Sequence, residues 1–155
     1  MKTLTYDQAL NKAAALCSQS ERCPSDIFEK VISWGISESD AARLVGYLTR
    51  EGYLDEGRYV RAFVSDKFRF DRWGRLKISY ALRAKGIDDA LIREAFDEKI
   101  DPDEYQQACA DLLSNRMRSF DRPLSSNDRA RLFRFAAQRG FESYVIAKVL
   151  GDISD

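Results

Sequence analysis

The sequence contains no histidine, and among its 155 residues only three are proline and eight are glycine. Without histidine, the chain cannot build a Ser-His-Asp or Cys-His nucleophile or a histidine-ligated metal centre. Scarce proline and glycine, together with many Leu, Ala, Arg, Lys and Glu residues, favour helices. The composition therefore predicts an all-α protein and offers no recognisable catalytic constellation.

Cysteines and long apolar runs are scarce as well. Cys17, Cys23 and Cys109 are odd in number and lack C-x-x-C spacing, which predicts free thiols rather than a disulfide framework or a zinc site. No apolar run approaches the roughly 20 residues that span a bilayer, and no phosphate-binding glycine motif is present. We expect a cytoplasmic, non-enzymatic protein with no catalytic residues, no metal site, no cofactor and no membrane partner.

An internal repeat is the main positive signal. Three segments share a helix that ends in glycine, then one apolar residue, then a polar residue that begins a second helix. Gly35, Gly86 and Gly140 mark these corners at spacings of 51 and 54 residues. Glycine is favoured there because it readily adopts the left-handed conformation that ends a helix.

Another helical stretch precedes each of these pairs of helices, which makes three triplets of helices. The stretch before the second corner begins at Asp55, a favourable N-cap. We therefore predict three tandem three-helix repeats, helix-turn-helix-like in form, in an elongated, curved array. Their predicted limits are residues 1–54, 55–100 and 101–155.

The net charge of zero conceals an uneven distribution. Residues 1–57 carry −3, residues 58–86 carry +7 and residues 87–155 carry −4. The middle repeat is thus a basic block between acidic neighbours. Its basic side chains are Arg58, Arg61, Lys67, Arg69, Arg72, Arg75, Lys77, Arg83 and Lys85.

Helical periodicity divides the first helix of the middle repeat into two sides. Tyr59, Phe63 and Phe70 fall within about 40° of each other and are expected to face the core. We expect Trp73-Gly74 to end this helix, with Trp73 anchoring a corner of the core. The opposite side, about 80° wide, holds Arg58, Arg61, Arg69 and Arg72.

Two interpretations of this basic side remain open from the residues alone. Its arginines could pair with carboxylates of the acidic flanking repeats and form a solvated face. They could instead bind an anionic partner, either a nucleic-acid backbone or an acidic groove on another protein. Arginine suits the second interpretation because its planar guanidinium makes bidentate contacts with phosphate or carboxylate.

Residues 51–87 resemble the signature region of the RecX family. The shared pattern is a Gly-Tyr-Leu-Asp-Glu turn, an aromatic-rich helix, a glycine before a basic residue, and a Leu-Arg-x-Lys-Gly-Ile helix end. Arg139-Gly140-Phe141 resembles the family's closing motif, whereas residues 20–27 depart from its Arg-x-x-Ser-x-x-Glu-Leu pattern. The predicted structural signature comprises Gly35, Gly52, Tyr53, Asp55, Tyr59, Phe63, Trp73, Gly74, Gly86 and Gly140.

The resemblance implies a regulator of the bacterial RecA recombinase. Such a protein lies in the groove of the RecA–single-stranded DNA filament and inhibits strand exchange, ATP hydrolysis and co-protease action, and so acts on DNA repair and the SOS response. We expect a monomer, and weak binding to single- or double-stranded DNA stays open. The alternative is a helix-turn-helix-like DNA-binding module that acts without RecA. Acidic residues after the corner glycines, such as Glu38, Asp88 and Glu142, disfavour it.

Overall fold

Residues 3–153, the part of the chain described in a computed structural model, form nine α-helices and no β-strand. The sequence prediction of an all-α fold is confirmed. The helices are α1 (Tyr6–Gln19), α2 (Pro24–Ser33), α3 (Glu38–Arg50), α4 (Glu56–Arg69), α5 (Arg75–Ala84), α6 (Asp89–Lys99), α7 (Pro102–Met117), α8 (Ser126–Gln138) and α9 (Ser143–Ile153).

Short polar side chains fix where many helices begin. Asp55 accepts a hydrogen bond from the Arg58 amide at 2.9 Å, which confirms its prediction as the N-cap of α4. Thr5 and Ser125 form reciprocal capping boxes at α1 and α8. Asp88 occupies the N-cap position of α6 but makes no side-chain cap bond. Each capping bond satisfies a backbone amide that has no partner inside its helix.

The three corner glycines adopt the predicted left-handed conformation. Gly35, Gly86 and Gly140 have φ values of +93°, +80° and +97°. The apolar residue after each glycine turns inward and is buried, so each corner locks one helix against the next. These inward residues are Ile36, Ile87 and Phe141.

The helices pack chiefly within consecutive triplets, which we call the first unit (α1–α3), the second unit (α4–α6) and the third unit (α7–α9). The first unit has an apolar core of its own. The second and third units share one continuous core, into which Val60, Tyr105 and Phe141 all project. We propose residues 1–54, 55–100 and 101–155 as the limits of the three units.

The junction between the second and third units is a close backbone contact. The Gly74 amide donates to the Arg139 carbonyl at 2.7 Å, and the Leu76 amide donates to the Gly140 carbonyl at 2.9 Å. A Cβ on Gly74 would lie closer than 3.0 Å to the Gly140 backbone, so glycine is required there. The backbone thus holds these two units together directly.

Side chains dominate the junction between the first and second units. Arg58 pairs with Glu21 at 3.0 Å and Lys85 with Asp26 at 2.6 Å. Cys23, which precedes α2, is 1% exposed and lies in the core cluster of the second and third units. The first unit therefore meets the second through half-buried ion pairs around one buried anchor.

Candidate binding surface

The buried side of α4 differs from the predicted one. Val60 and Val64 are fully buried, and Phe68 is nearly so. Phe70, predicted to face the core, is 79% exposed. That prediction was wrong because the buried side of α4 runs through Phe68, and Phe70, two residues later, lies about 200° around the helix from it.

Trp73 lies at the turn between α4 and α5, where it is partly buried. Its ring packs edge-on against Phe63, with 6.5 Å between ring centroids. The ammonium groups of Lys67 and Lys77 lie 4.7 and 4.5 Å from its centroid. The prediction that Trp73-Gly74 ends the helix was wrong, since Gly74 is the N-cap of α5. Trp73 therefore supports one cation from the last turn of α4 and one from the first turn of α5.

Six of the nine basic residues of the middle repeat pair with carboxylates. Two of these pairs join the first and second units, and the Arg75–Glu142 pair joins the second and third at 2.8 Å. Three of the nine basic side chains therefore link neighbouring units, and three more pair within the second unit. The six pairs are Arg58–Glu21, Arg61–Glu98, Lys67–Asp71, Arg75–Glu142, Arg83–Asp89 and Lys85–Asp26.

The pairs between units leave their cations firmly charged. The hydrogen bond from Lys85 to Asp26 raises the pKa of Lys85 against a smaller opposing effect of burial. Burial lowers the pKa of Arg75, but the hydrogen bond and charge of Glu142 outweigh it, so the pKa lies above its ordinary value. Both cations therefore remain ion-paired across the physiological pH range.

Tyr105 completes the polar contact between the second and third units. Its hydroxyl accepts a hydrogen bond from the Arg75 amide at 2.9 Å and donates one to Glu142. Burial, and next the bond to Glu142, raise the pKa of Tyr105 far above its ordinary value. The phenol is thus held neutral as both donor and acceptor at this junction.

Among the described residues, three members of the basic block have no carboxylate within 4.0 Å: Arg69, Arg72 and Lys77. Arg69 and Arg72 are exposed, and Phe70 projects into solvent between them. We call Arg69, Phe70, Arg72 and Lys77 the basic turn. The structure thus leaves a small surface at the α4–α5 turn, rather than a stripe along α4, with cations free to meet a partner.

The backbone at Arg72 is strained. Its φ of +56° lies in the left-handed region, which costs a residue with a Cβ roughly 1–2 kcal/mol relative to an ordinary helical conformation. Glycine would relieve this cost, yet arginine occupies the position. Such strain at an exposed charged residue is a pattern often found at functional sites.

Two carboxylates moderate the charge of the basic turn. Arg69 and Arg72 line a cavity of about 260 Å³ together with Glu104 and Asp111 of α7. These carboxylates lie beyond ion-pair distance, so they lower the local positive potential without occupying the guanidinium groups. An anionic partner that approaches the basic turn therefore meets α7 at the same time.

The remaining signature residues lie in the turn before α4 or pack as aromatic side chains on α4 itself. Gly52 has a φ of +81°, and Tyr53 beside it is 42% exposed. Tyr59 and Phe63 are half-buried, with ring centroids 5.8 Å apart. These positions shape the second unit, and only Tyr53 presents a large side chain to solvent.

Sequence analysis missed an arginine-rich segment in the third unit. Residues 115–140 contain seven arginines and two aspartates, a net charge of +5. Summing the charge over residues 87–155 hid this segment behind the carboxylates of α6 and early α7. A shorter counting window would have revealed it from the sequence.

Two further findings concern the described part of the chain. No helix within residues 3–153 is long and apolar enough to cross a membrane. The same residues contain no group of three or more cysteine, aspartate or glutamate side chains placed to hold a metal ion. Cys17, Cys23 and Cys109 are free and buried.

Comparison with protein families gives two matches, which cover the second and third units. Residues 55–95 match the RecX second three-helix domain, and residues 103–150 match the RecX third three-helix domain. Together these matches cover more than half of the chain.

Relatives and solved structures agree. Regulatory protein RecX of Chromobacterium violaceum is 28% identical, over 93% of this chain and 90% of its own. Regulatory protein RecX of Chromohalobacter salexigens is 30% identical, over 84% of this chain and 82% of its own. A crystal structure of RecX from Lactobacillus salivarius superimposes with a TM-score of 0.84 at 17% identity, over 96% of both chains, and so supports the fold. The family matches and these relatives make the chain a member of the RecX family, whose named members support a regulatory role.

Proposed function

We propose that this protein is a negative regulator of RecA, without enzymatic activity of its own. It binds in the groove of the RecA–single-stranded DNA filament and inhibits the recombinase, ATPase and co-protease activities. Through these activities it acts on homologous recombination, DNA repair and the SOS response in the cytoplasm. Family membership supports the regulatory role, and the basic turn supplies the surface.

The observation that carries this proposal is the separation of the basic residues into paired and unpaired sets. A cation already paired in the folded protein must lose its carboxylate before it can bind a partner, whereas Arg69, Arg72 and Lys77 need no such exchange. Phe70 adds an exposed apolar side chain, and aromatic and arginine side chains together often carry most of an interface's binding energy. The basic turn is therefore our proposed filament contact, facing DNA phosphates or acidic residues of the groove.

The alternative, a DNA-binding module that acts without RecA, is less well supported. In a helix-turn-helix protein the second helix carries basic or polar readers into the major groove. Here α3 and α6 begin with Glu38 and Asp89, and Glu142, just before α9, pairs with Arg75. These carboxylates would repel the phosphates on either side of a groove.

The test is RecA-dependent ATP hydrolysis on single-stranded DNA with added protein. We expect the wild-type protein to inhibit at stoichiometric concentrations, and Arg69→Glu with Arg72→Glu to weaken inhibition about tenfold or more, since each reversal replaces attraction by repulsion. The matched control reverses two exposed arginines elsewhere, Arg50 and Arg93, and should inhibit as the wild type does. Circular dichroism should show both variants folded.

Two outcomes would contradict different parts of the proposal. Absence of inhibition by the wild-type protein above stoichiometric concentration would refute the proposed function. Equal inhibition by the basic-turn variant and its control would instead refute the surface, while leaving the function in place.

A further inference from the structure

The third unit carries a second basic surface, built differently from the basic turn. The guanidinium groups of Arg116 and Arg139 lie 5.0 and 4.9 Å from the ring centroid of Phe135. That of Arg131 lies 5.0 Å from the ring of Phe120. We call Arg116, Arg131, Arg134 and Arg139 the arginine cluster. Its members come from α7, α8 and the residue after α8, so the helix packing brings them together.

None of these four guanidinium groups has a carboxylate within 4.0 Å among residues 3–153. This contrasts with the second unit, where most cations are paired. Three of the four instead contact an aromatic face, which holds the planar group in place while leaving its N–H edge available. The surface therefore presents fixed, unneutralised donors, which is the arrangement that an anionic ligand requires.

The shape of the surface narrows the ligand class. Three arginines of the cluster border an open cavity of about 220 Å³, which is smaller than the roughly 300–1,000 Å³ typical of small-molecule sites. The cavity is lined by Arg116, Phe120, Arg131, Arg134, Phe135 and Gln138. Phe120 and Phe135 lie beneath guanidinium groups and are only partly exposed, so the cluster has no apolar centre of the kind that protein interfaces use. Interfaces with nucleic acids are more polar and far more positively charged.

We propose that the arginine cluster binds the phosphodiester backbone of a nucleic acid. It does so in the absence of RecA and separately from the basic turn. The backbone of Arg139 hydrogen-bonds Gly74, two residues beyond Arg72, so the two basic surfaces meet at the junction between the second and third units. Backbone contacts alone carry no base preference, so binding is independent of sequence and strongly dependent on salt.

The test measures fluorescence anisotropy of a labelled oligonucleotide of about 30 nucleotides, single-stranded or duplex, with the full chain and no RecA. The variant is Arg131→Gln with Arg134→Gln, which preserves long helix-forming side chains at two exposed positions. The control is Arg50→Gln with Arg93→Gln, which changes the net charge equally. Affinities are measured between about 50 and 200 mM salt.

We expect the cluster variant to bind about tenfold more weakly than the wild type. The slope of log affinity against log salt concentration should become shallower by about 1.4 for a single strand or 1.8 for a duplex, which corresponds to the loss of two phosphate contacts. The larger of the two affinity losses identifies which form of nucleic acid the cluster prefers. Arg116→Gln repeats the test from another helix and should flatten the slope by about 0.7 or 0.9. The control should stay within about twofold of wild type, because it removes only distant, screened charge.

Equal affinities and slopes for the cluster variant and the control would overturn the proposal. So would loss of binding to a poly-glutamate peptide with nucleic-acid binding unchanged, since that would assign the cluster to an acidic protein. Because the assay contains no RecA, either failure leaves the proposed function intact, and failure of RecA inhibition leaves this site intact.

Discussion

Replacing Gly74 with alanine should weaken the junction between the second and third units. The new Cβ would overlap the Gly140 carbonyl and the Phe141 nitrogen, which are backbone atoms and cannot rotate away. Restoring ordinary van der Waals contact requires the start of α5 to move by about 1 Å. The hydrogen bonds Gly74–Arg139 and Leu76–Gly140, now 2.7 and 2.9 Å, would then exceed the normal range.

The size of the effect follows from those two bonds. Each contributes about 1 kcal/mol net, and a donor left buried without a partner costs about 1–3 kcal/mol. Allowing for partial relaxation, we expect Gly74→Ala to lower the free energy of unfolding by about 2–4 kcal/mol. For a chain of this size that corresponds to a fall in Tm of roughly 5–15 °C.

The matched control is Gly46→Ala, the same chemical change inside α3. A Cβ there would lie 3.3 Å from Arg50 Nη1, the end of a flexible side chain that can move aside. Alanine is the better helix former, so this variant should gain about 0.5–1 kcal/mol. Urea unfolding, followed by circular dichroism, measures both. If Gly74→Ala lies within about 0.5 kcal/mol of wild type, the claim that the backbone contact holds these units together is refuted.

Two further predictions concern buried polar groups. Tyr105→Phe should cost about 1–3 kcal/mol in urea unfolding, because it leaves the Arg75 amide without a partner and removes one of the two side-chain hydrogen bonds to Glu142. Tyr144→Phe, at a residue 70% exposed, should cost almost nothing. Burial raises the pKa of Cys109 from 9.0 to about 12. The buried thiol therefore contributes its full stabilisation below pH 9, and this contribution declines at higher pH because the thiol ionises in the unfolded chain but not in the folded one. Between pH 9 and 10.5 the loss is about 2 kcal/mol, and Cys109→Ala should show a correspondingly shallower decline; equal slopes would contradict this.

Features that depend on local chemistry could be predicted from the sequence. Asp55 caps α4 because its carboxylate reaches an amide three residues away, and Gly35, Gly86 and Gly140 end helices because few other residues tolerate their backbone angles. Neither relation requires knowledge of distant parts of the chain. The nine-helix architecture of the described residues follows largely from such signals.

Features that depend on distant residues could not be predicted. Whether Arg75 is free or paired depends on Glu142, 67 residues away. Phe70 was misplaced because the aromatic side of α4 was taken as the buried one, whereas packing against the neighbouring helices buries the side that carries Val60 and Val64. Which cations of the candidate surface are available is therefore a property of tertiary structure, even though their presence is obvious from composition.

The position of Cys23 has a consequence for how members of this family could be cut or recombined. By chain order it belongs to the first unit, yet its side chain completes the core shared by the second and third. A fragment that starts at residue 55 would lack that side chain and expose the apolar wall it covers. A hybrid that takes its first unit from one relative and the rest from another must match residue 23 to its new host. A joint after residue 54 leaves the first unit's own core intact, so the one position that must follow the host rather than the donor is residue 23.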